Sequence, residues 1–136
     1  TSGDRRVKRS PLRDIAAMIR SLDYAAYSVL FDLEDNQTRP PGMVREEDRT
    51  TLEPWARRWH ERASQRFVEA YLAALDHPGL LPDDRDDVDA LLKVYLLERM
   101  LDDVGRDLAR RPAWAWIPIQ ALLREFEADL AAAEPS

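Results

Sequence analysis

The sequence has 136 residues, a formal net charge of -6 and an apolar content of 45%. This length suits one domain with an ordinary core, so we expect residues 1–136 to form a single helical unit. The absence of cysteine and the presence of two histidines exclude disulfides and thiolate or multi-histidine metal centres, and the acidity argues against a general nucleic-acid-binding protein.

The first predicted helix follows a basic segment. Ser10 can accept a free backbone N–H as the N-cap, and Pro11 suits the first helical position because its ring fixes φ. Asp14 lies near the first turn, where the helix dipole favours a carboxylate. Apolar residues then recur at three- and four-residue steps, which predicts a long amphipathic helix. They are Leu12, Ile15, Ala16, Ile19, Leu22, Ala26, Val29 and Leu33.

A loop or insertion is predicted over residues 34–51, because Pro40-Pro41-Gly42 forbids a continuous helix there. A second helix then begins, with Thr51 as its cap and Pro54 in its first turn. Its aromatic and apolar residues fall on one stripe, which predicts that they pack in the core. They are Leu52, Trp55, Ala56, Trp59, Ala63, Phe67, Ala70, Tyr71 and Ala74. His60 lies off this stripe, so we expect it at the surface without a carboxylate partner.

The second helix is predicted to end at Asp76-His77-Pro78-Gly79, with His77 near its C-terminal cap. Five aspartates follow within residues 83–89. This run lacks the turn glycine and closing glutamate of a calcium loop, so it indicates acidic residues at the start of a third helix. That helix is expected over residues 84–110, and its apolar segment at residues 94–97 predicts that it is the central element.

A fourth helix is predicted after Arg111-Pro112, with Trp114 and Trp116 in the turn and Pro118 at its start. Its inward residues are expected to be Ile119, Leu122, Leu123, Phe126 and Leu130. Four helices without a convincing strand predict an all-α fold. No apolar run approaches the ~20 residues of a membrane span, so we expect no membrane contact and a cytoplasmic location.

The charged end of the third helix, within the segment 91–118, holds the candidate site. Helical spacing places Asp103 and Asp107 on one face with Arg99 and Arg111. It also places Asp102 one turn away from Arg106, so that the two side chains face each other. This pattern indicates either a salt-bridged outer face or the wall of a polar cleft. The sequence has no nucleophile paired with a base and no glycine-rich phosphate loop, so it does not describe a self-contained enzyme.

Two segments resemble bacterial maltokinases. Residues 9–26, RSPLRDIAAMIRSLDYAA, are similar to a long motif of that family, and residues 96–119 are similar to its C-terminal segment ending in Arg-Pro and tryptophan. The resemblance implies the helical end of the C-terminal lobe of a kinase-like fold, related to aminoglycoside phosphotransferases. The catalytic aspartate and the metal-binding segment of the family would lie upstream, which implies that this chain is part of a longer polypeptide.

The resemblance also implies roles for individual residues. Asp14 would support the catalytic loop by accepting hydrogen bonds from its backbone. Asp103, Asp107 and Arg111 would hold the sugar acceptor, while ATP and Mg²⁺ would be bound mainly by the missing upstream part.

The chain departs from the maltokinase pattern where two of the family's tyrosines are replaced by Asp102 and Arg106. Three aspartates, Asp102, Asp103 and Asp107, would suit a cationic acceptor, and actinobacterial glucosamine kinases are similar to maltokinases. We therefore expect an ATP-dependent sugar kinase, with glucosamine slightly favoured over maltose. The alternative is a self-contained helical interaction module, in which the tryptophan-rich turn and the acidic face bind a partner protein.

Overall fold

The computed structural model describes residues 10–31, 46–76 and 79–135, and within these ranges the chain is helical and has no strand. The predicted all-α fold is therefore confirmed. The helices are α1 (Pro11–Leu30), α2 (Arg49–Ala74), α3 (Arg85–Arg110) and α4 (Trp116–Ala133), with 3₁₀ turns at Glu46–Asp48 and Pro112–Ala115. None of the helices within the described ranges is long and apolar enough to cross a membrane.

Helix α1 is the central element, because it packs against α2, α3 and α4. It starts as predicted: the Ser10 hydroxyl accepts a hydrogen bond from the Leu12 N–H at 3.3 Å, and Pro11 follows the cap. The prediction that the third helix is central is wrong. Its segment 94–97 is apolar all round, but neighbouring helices cover only one side, so Val94 is exposed.

Helices α1 and α3 run parallel. The Arg13 guanidinium lies over the Tyr95 ring, Arg20 bonds Asp103, and Tyr24 bonds Asp107, so contacts advance in the same direction along both helices. The apolar core falls into two groups along α1. The first group contains Leu12, Ile15, Ala16, Ile19, Val68, Val88 and Leu92, and the second contains Tyr27, Leu30 and Ile117.

Helix α2 differs from the prediction in both its start and its buried face. It begins at Arg49, before Thr51, and Pro54 lies within the helix. Val68 is its buried residue, whereas Trp55 and Trp59 are exposed. The stripe follows a helical pattern, and Ala56 packs against the core, but the Trp55 and Trp59 side chains project into solvent. The prediction that these tryptophans belong to the core is therefore wrong.

In α3 and α4, the predicted helix starts agree with the structure better than the predicted buried faces do. Asp84 caps α3 by accepting a hydrogen bond from the Asp86 N–H at 2.9 Å, which confirms the predicted start. In α4, Pro118 lies in the first turn and is buried with Ile117 and Ala121. The residues expected inward at Leu123, Phe126 and Leu130 are exposed, because α4 meets its neighbours through its N-terminal half. Val29 of α1 is likewise exposed, contrary to prediction.

Parts of three predictions lie outside the described residues. They are Leu33 at the end of the first helix, the 34–45 portion of the expected loop at 34–51, and His77 at the end of the second helix. Residues 49–51 of that loop already belong to α2, so the predicted boundary is wrong there.

The buried face of α1 predicts a large difference between two matched leucine truncations. Leu12→Ala should lower the free energy of unfolding by about 2–5 kcal/mol, because it removes a fully buried side chain. Leu101→Ala on the exposed side of α3 should cost roughly 0.5 kcal/mol or less. Urea unfolding followed by circular dichroism measures both, and equal losses would contradict the assigned packing.

Candidate functional site

The candidate site is a buried charge cluster, formed by Arg20 and Asp23 of α1 with Asp103 and Asp107 of α3. Arg20 is 2% exposed, and Asp23 is fully buried. Both lie on the covered side of α1, between the two apolar groups of the core. Charged groups stay ionised at such depth only when opposite charges and hydrogen bonds replace the lost water.

Arg20 joins the two helices. Its Nε donates to Asp103 Oδ2 at 3.1 Å, and its Nη1 donates to Asp23 Oδ2 at 2.6 Å. Its Nη2 is buried and has no hydrogen-bond partner in the described part of the chain. The guanidinium therefore holds one carboxylate from its own helix and one from α3.

The two α3 carboxylates face the protein interior. Asp103 is 1% exposed and Asp107 is 0% exposed. Asp103 Oδ1 lies 3.1 Å from Arg106 Nη2, and Asp107 Oδ1 accepts from Arg111 Nε at 3.1 Å. The Tyr24 hydroxyl donates to Asp107 Oδ2. Neither sequence interpretation was right as it stood, because the carboxylates line neither an outer face nor an open wall.

Side chains of two further helices contact the Asp23 carboxylate. Arg124 Nη2 of α4 donates to Asp23 Oδ1 at 2.7 Å, and His60 Nε2 of α2 lies 3.8 Å from the same oxygen. The His60 ring also donates to the Ile19 carbonyl at 3.2 Å. The predicted surface position of His60, without a carboxylate partner, is therefore wrong. Burial lowers the pKa of His60, although the nearby Asp23 opposes that shift.

The outer layer of the cluster consists of arginines and aromatic rings. The Arg111 guanidinium carbon lies 4.0 Å from the Trp114 ring centroid and 5.4 Å from that of Tyr24, and the two rings stack at 6.2 Å. Burial, followed by the hydrogen bond to Asp107, raises the pKa of Tyr24, so its hydroxyl stays protonated as a donor. Guanidinium N–H groups beside aromatic faces can bind the oxygens and the apolar face of a polar ligand.

The structure brings together three of the residues predicted from the sequence, Asp103, Asp107 and Arg111. The predicted Asp102–Arg106 pairing is wrong: Arg106 turns to Asp103, and Asp102 is exposed beside a separate cavity of about 110 Å³. Asp14 is exposed in the first turn of α1 and is not part of the cluster. No group of three or more metal-ligating side chains occurs among the described residues.

Arg20, Asp23, His60 and Arg124 were not predicted from the sequence as members of the site. One signal was present: the steps from Ala16 through Arg20 and Asp23 to Tyr27 are four, three and four residues, which places two opposite charges on the covered stripe of α1. Such a pair on an apolar face predicts buried partners elsewhere in the fold.

A double-mutant cycle on Arg20 and Asp103 should reveal strong coupling. Arg20→Ala and Asp103→Ala each leave the other charge buried, so the coupling energy should be about 1–3 kcal/mol in chemical unfolding. The exposed pair Arg85–Asp89, at 2.9 Å, is the matched control and should couple by roughly 0.5 kcal/mol or less. Equal coupling in the two cycles would contradict a buried pair.

The partly buried side chain of His60 predicts a pH-dependent stability. In the unfolded chain the ring gains a proton near its ordinary pKa of 6.5, whereas the folded protein resists protonation until a lower pH. This contribution is complete above pH 6.5 and is lost as the pH falls below it. His60→Gln keeps an N–H donor for the Ile19 carbonyl but cannot titrate, so its unfolding free energy should fall less between about pH 8 and pH 5. Parallel pH profiles for the two proteins would contradict this.

No family model matches the sequence, and no solved structure matches the chain. The function is therefore inferred from the charge cluster and from the sequence segments that form it.

Proposed function

We propose that this chain is the helical C-terminal part of an ATP-dependent sugar kinase. The main support is that the two segments resembling maltokinases, which the structure describes over residues 10–26 and 96–119, pack against each other. The first supplies Arg20 and Tyr24, and the second supplies their partners Asp103 and Asp107. A ligand site built from both segments needs this contact, which holds them at a fixed register.

In this proposal the sugar contacts the guanidinium groups, and the carboxylates lie behind these groups and orient them. Arg106 and Arg111 are partly exposed, whereas Asp103 and Asp107 are buried and already bonded. The arginine N–H groups would donate to sugar hydroxyls, and the Trp114 ring would face the carbons of the sugar. Asp103 and Asp107 are then positioning residues that fix the direction of these donors.

We propose glucosamine ahead of maltose as the acceptor, on the basis of Asp102. This exposed carboxylate stands where the resemblance places a tyrosine, and Glu98 and Arg99 line the same cavity. Arg13 lines this cavity too, so its two carboxylates and two guanidiniums balance in charge. The proposed preference therefore rests on the replacement of the tyrosine by Asp102, because a disaccharide would lose an aromatic platform there.

Phosphoryl transfer itself would use residues beyond those described. ATP and Mg²⁺ would be held mainly by the upstream part that the resemblance implies, and no step of the transfer is assigned to the charge cluster. The exposed Asp14 could accept backbone hydrogen bonds from a catalytic loop packed on the start of α1.

A coupled ADP-release assay on the full-length protein tests the proposal with glucosamine, maltose and glucose. Arg111→Gln should lower kcat/KM for the sugar about tenfold or more, because it removes a charge-assisted donor, and it should leave the KM for ATP unchanged. Arg110→Gln removes the same charge from an adjacent exposed position and is the matched control.

The outcomes separate the parts of the proposal. Absence of ADP release with every sugar would refute a sugar kinase. Strong activity on maltose, or equal rates with glucose and glucosamine, would refute the amino-sugar preference alone. An equal loss in the Arg110 variant would remove Arg111 from the acceptor site.

A further inference from the structure

The outer face of α2 presents an exposed surface of tryptophan and arginine. Trp55 is 65% exposed and Trp59 is 48% exposed, although tryptophan gains most from burial. Three exposed arginines follow the same face at four-residue steps. They are Arg58, Arg62 and Arg66, and with the two tryptophans they line a recess of about 450 Å³. We call these five residues the Trp-Arg face.

The positive charges of the arginine row are not neutralised by acidic side chains within the described chain. Like charges at four-residue steps destabilise a helix, and Arg62 and Arg66 form no ion pair with the described residues. Other charges of α2 do form ion pairs, as in Arg57–Glu53 at 3.4 Å and Glu69–Arg85 at 2.7 Å. Arg58 instead lies over the Trp55 ring, at 5.5 Å from its centroid. A row of unpaired cations beside exposed tryptophan indicates an external anionic partner with apolar groups.

We propose that the Trp-Arg face binds an acidic amphipathic helix of a partner protein. Four residues of α-helix rise about 6 Å, so carboxylates at positions i, i+4 and i+8 of a partner helix match the spacing of the arginines. Apolar side chains beside those carboxylates would enter the recess next to Trp55 and Trp59. Tryptophan and arginine are among the residues that are enriched in the strongest contacts of protein interfaces.

The charge distribution favours a short acidic segment over nucleic acid or lipid. Three arginines would neutralise about three phosphates, which gives only weak non-specific binding. The net charge of -6 repels an extended polyanion or an anionic membrane surface, since both reach beyond the Trp-Arg face. A single acidic helix touches only the basic row, so the attraction is local and the repulsion is small.

Fluorescence anisotropy with labelled synthetic peptides tests this on the full protein. The probe is an alanine-rich helix with glutamate at i, i+4 and i+8 beside a leucine row, and its control is a scrambled peptide of the same composition. The patterned peptide should bind, and its affinity should fall as salt is added. Trp59→Ala should weaken binding about thirtyfold and Arg62→Gln about fivefold.

Arg110→Gln makes the same charge change on α3 and should leave peptide affinity unchanged. All three substitutions are at exposed positions, and equal melting temperatures establish that the variants are folded. The proposal is overturned if the patterned peptide does not bind, or if the scrambled peptide binds equally well. Tighter binding of oligothymidylate or of phosphatidylserine vesicles would also overturn it.

Discussion

The fold depends on keeping Arg20 paired. A guanidinium at this depth costs several kcal/mol if its partners are absent, so conformations that separate α1 from α3 are penalised strongly. Arg20 bonds Asp103, and one turn later Tyr24 bonds Asp107, so a slip of either helix would break both contacts. Apolar residues above and below the cluster could tolerate small slips, whereas these hydrogen bonds could not. The charge cluster therefore specifies the register of the core more than it adds stability.

The same arrangement separates the roles of carboxylates and arginines. Asp103 and Asp107 have a neighbouring donor at each carboxylate oxygen, and these donors come from the partly exposed Arg106 and Arg111 and from α1. A ligand approaching this end of α3 would encounter N–H donors first. Under the proposed sugar-kinase function, the acidic residues act through the arginines that they orient. The stack of Arg111 on Trp114 restricts this donor further.

The starts of α1 and α3 could be predicted from the sequence because capping is local. Ser10 with Pro11 and Asp84 are sufficient to place the starts of α1 and α3, and each bonds within two residues of itself. The covered faces could not be predicted in the same way. Val29, Trp55 and Phe126 fit helical stripes, yet each is exposed because the neighbouring helix covers a different side. An apolar stripe indicates that one face of a helix is apolar. The positions of the neighbouring helices decide which part of that face is buried.

The candidate site was predicted in part for the same reason. The pairing of Asp107 with Arg111 follows from a four-residue step, and the structure contains it. The partners Arg20 and Tyr24 lie 83 residues from Asp103 and Asp107, so no local spacing connects them. His60 was missed because its partners, Asp23 and the Ile19 carbonyl, are likewise on another helix.

The charge cluster also affects how the protein responds to temperature. Unfolding exposes the charged side chains of Arg20, Asp23, Asp103 and Asp107 together with apolar surface, and polar exposure lowers the heat capacity change that apolar exposure raises. A core of this mixed composition therefore has a flatter stability curve than an all-apolar core of equal size. Because the hydration of charged groups becomes less favourable on heating, the cost of keeping these four residues out of water is smallest at high temperature.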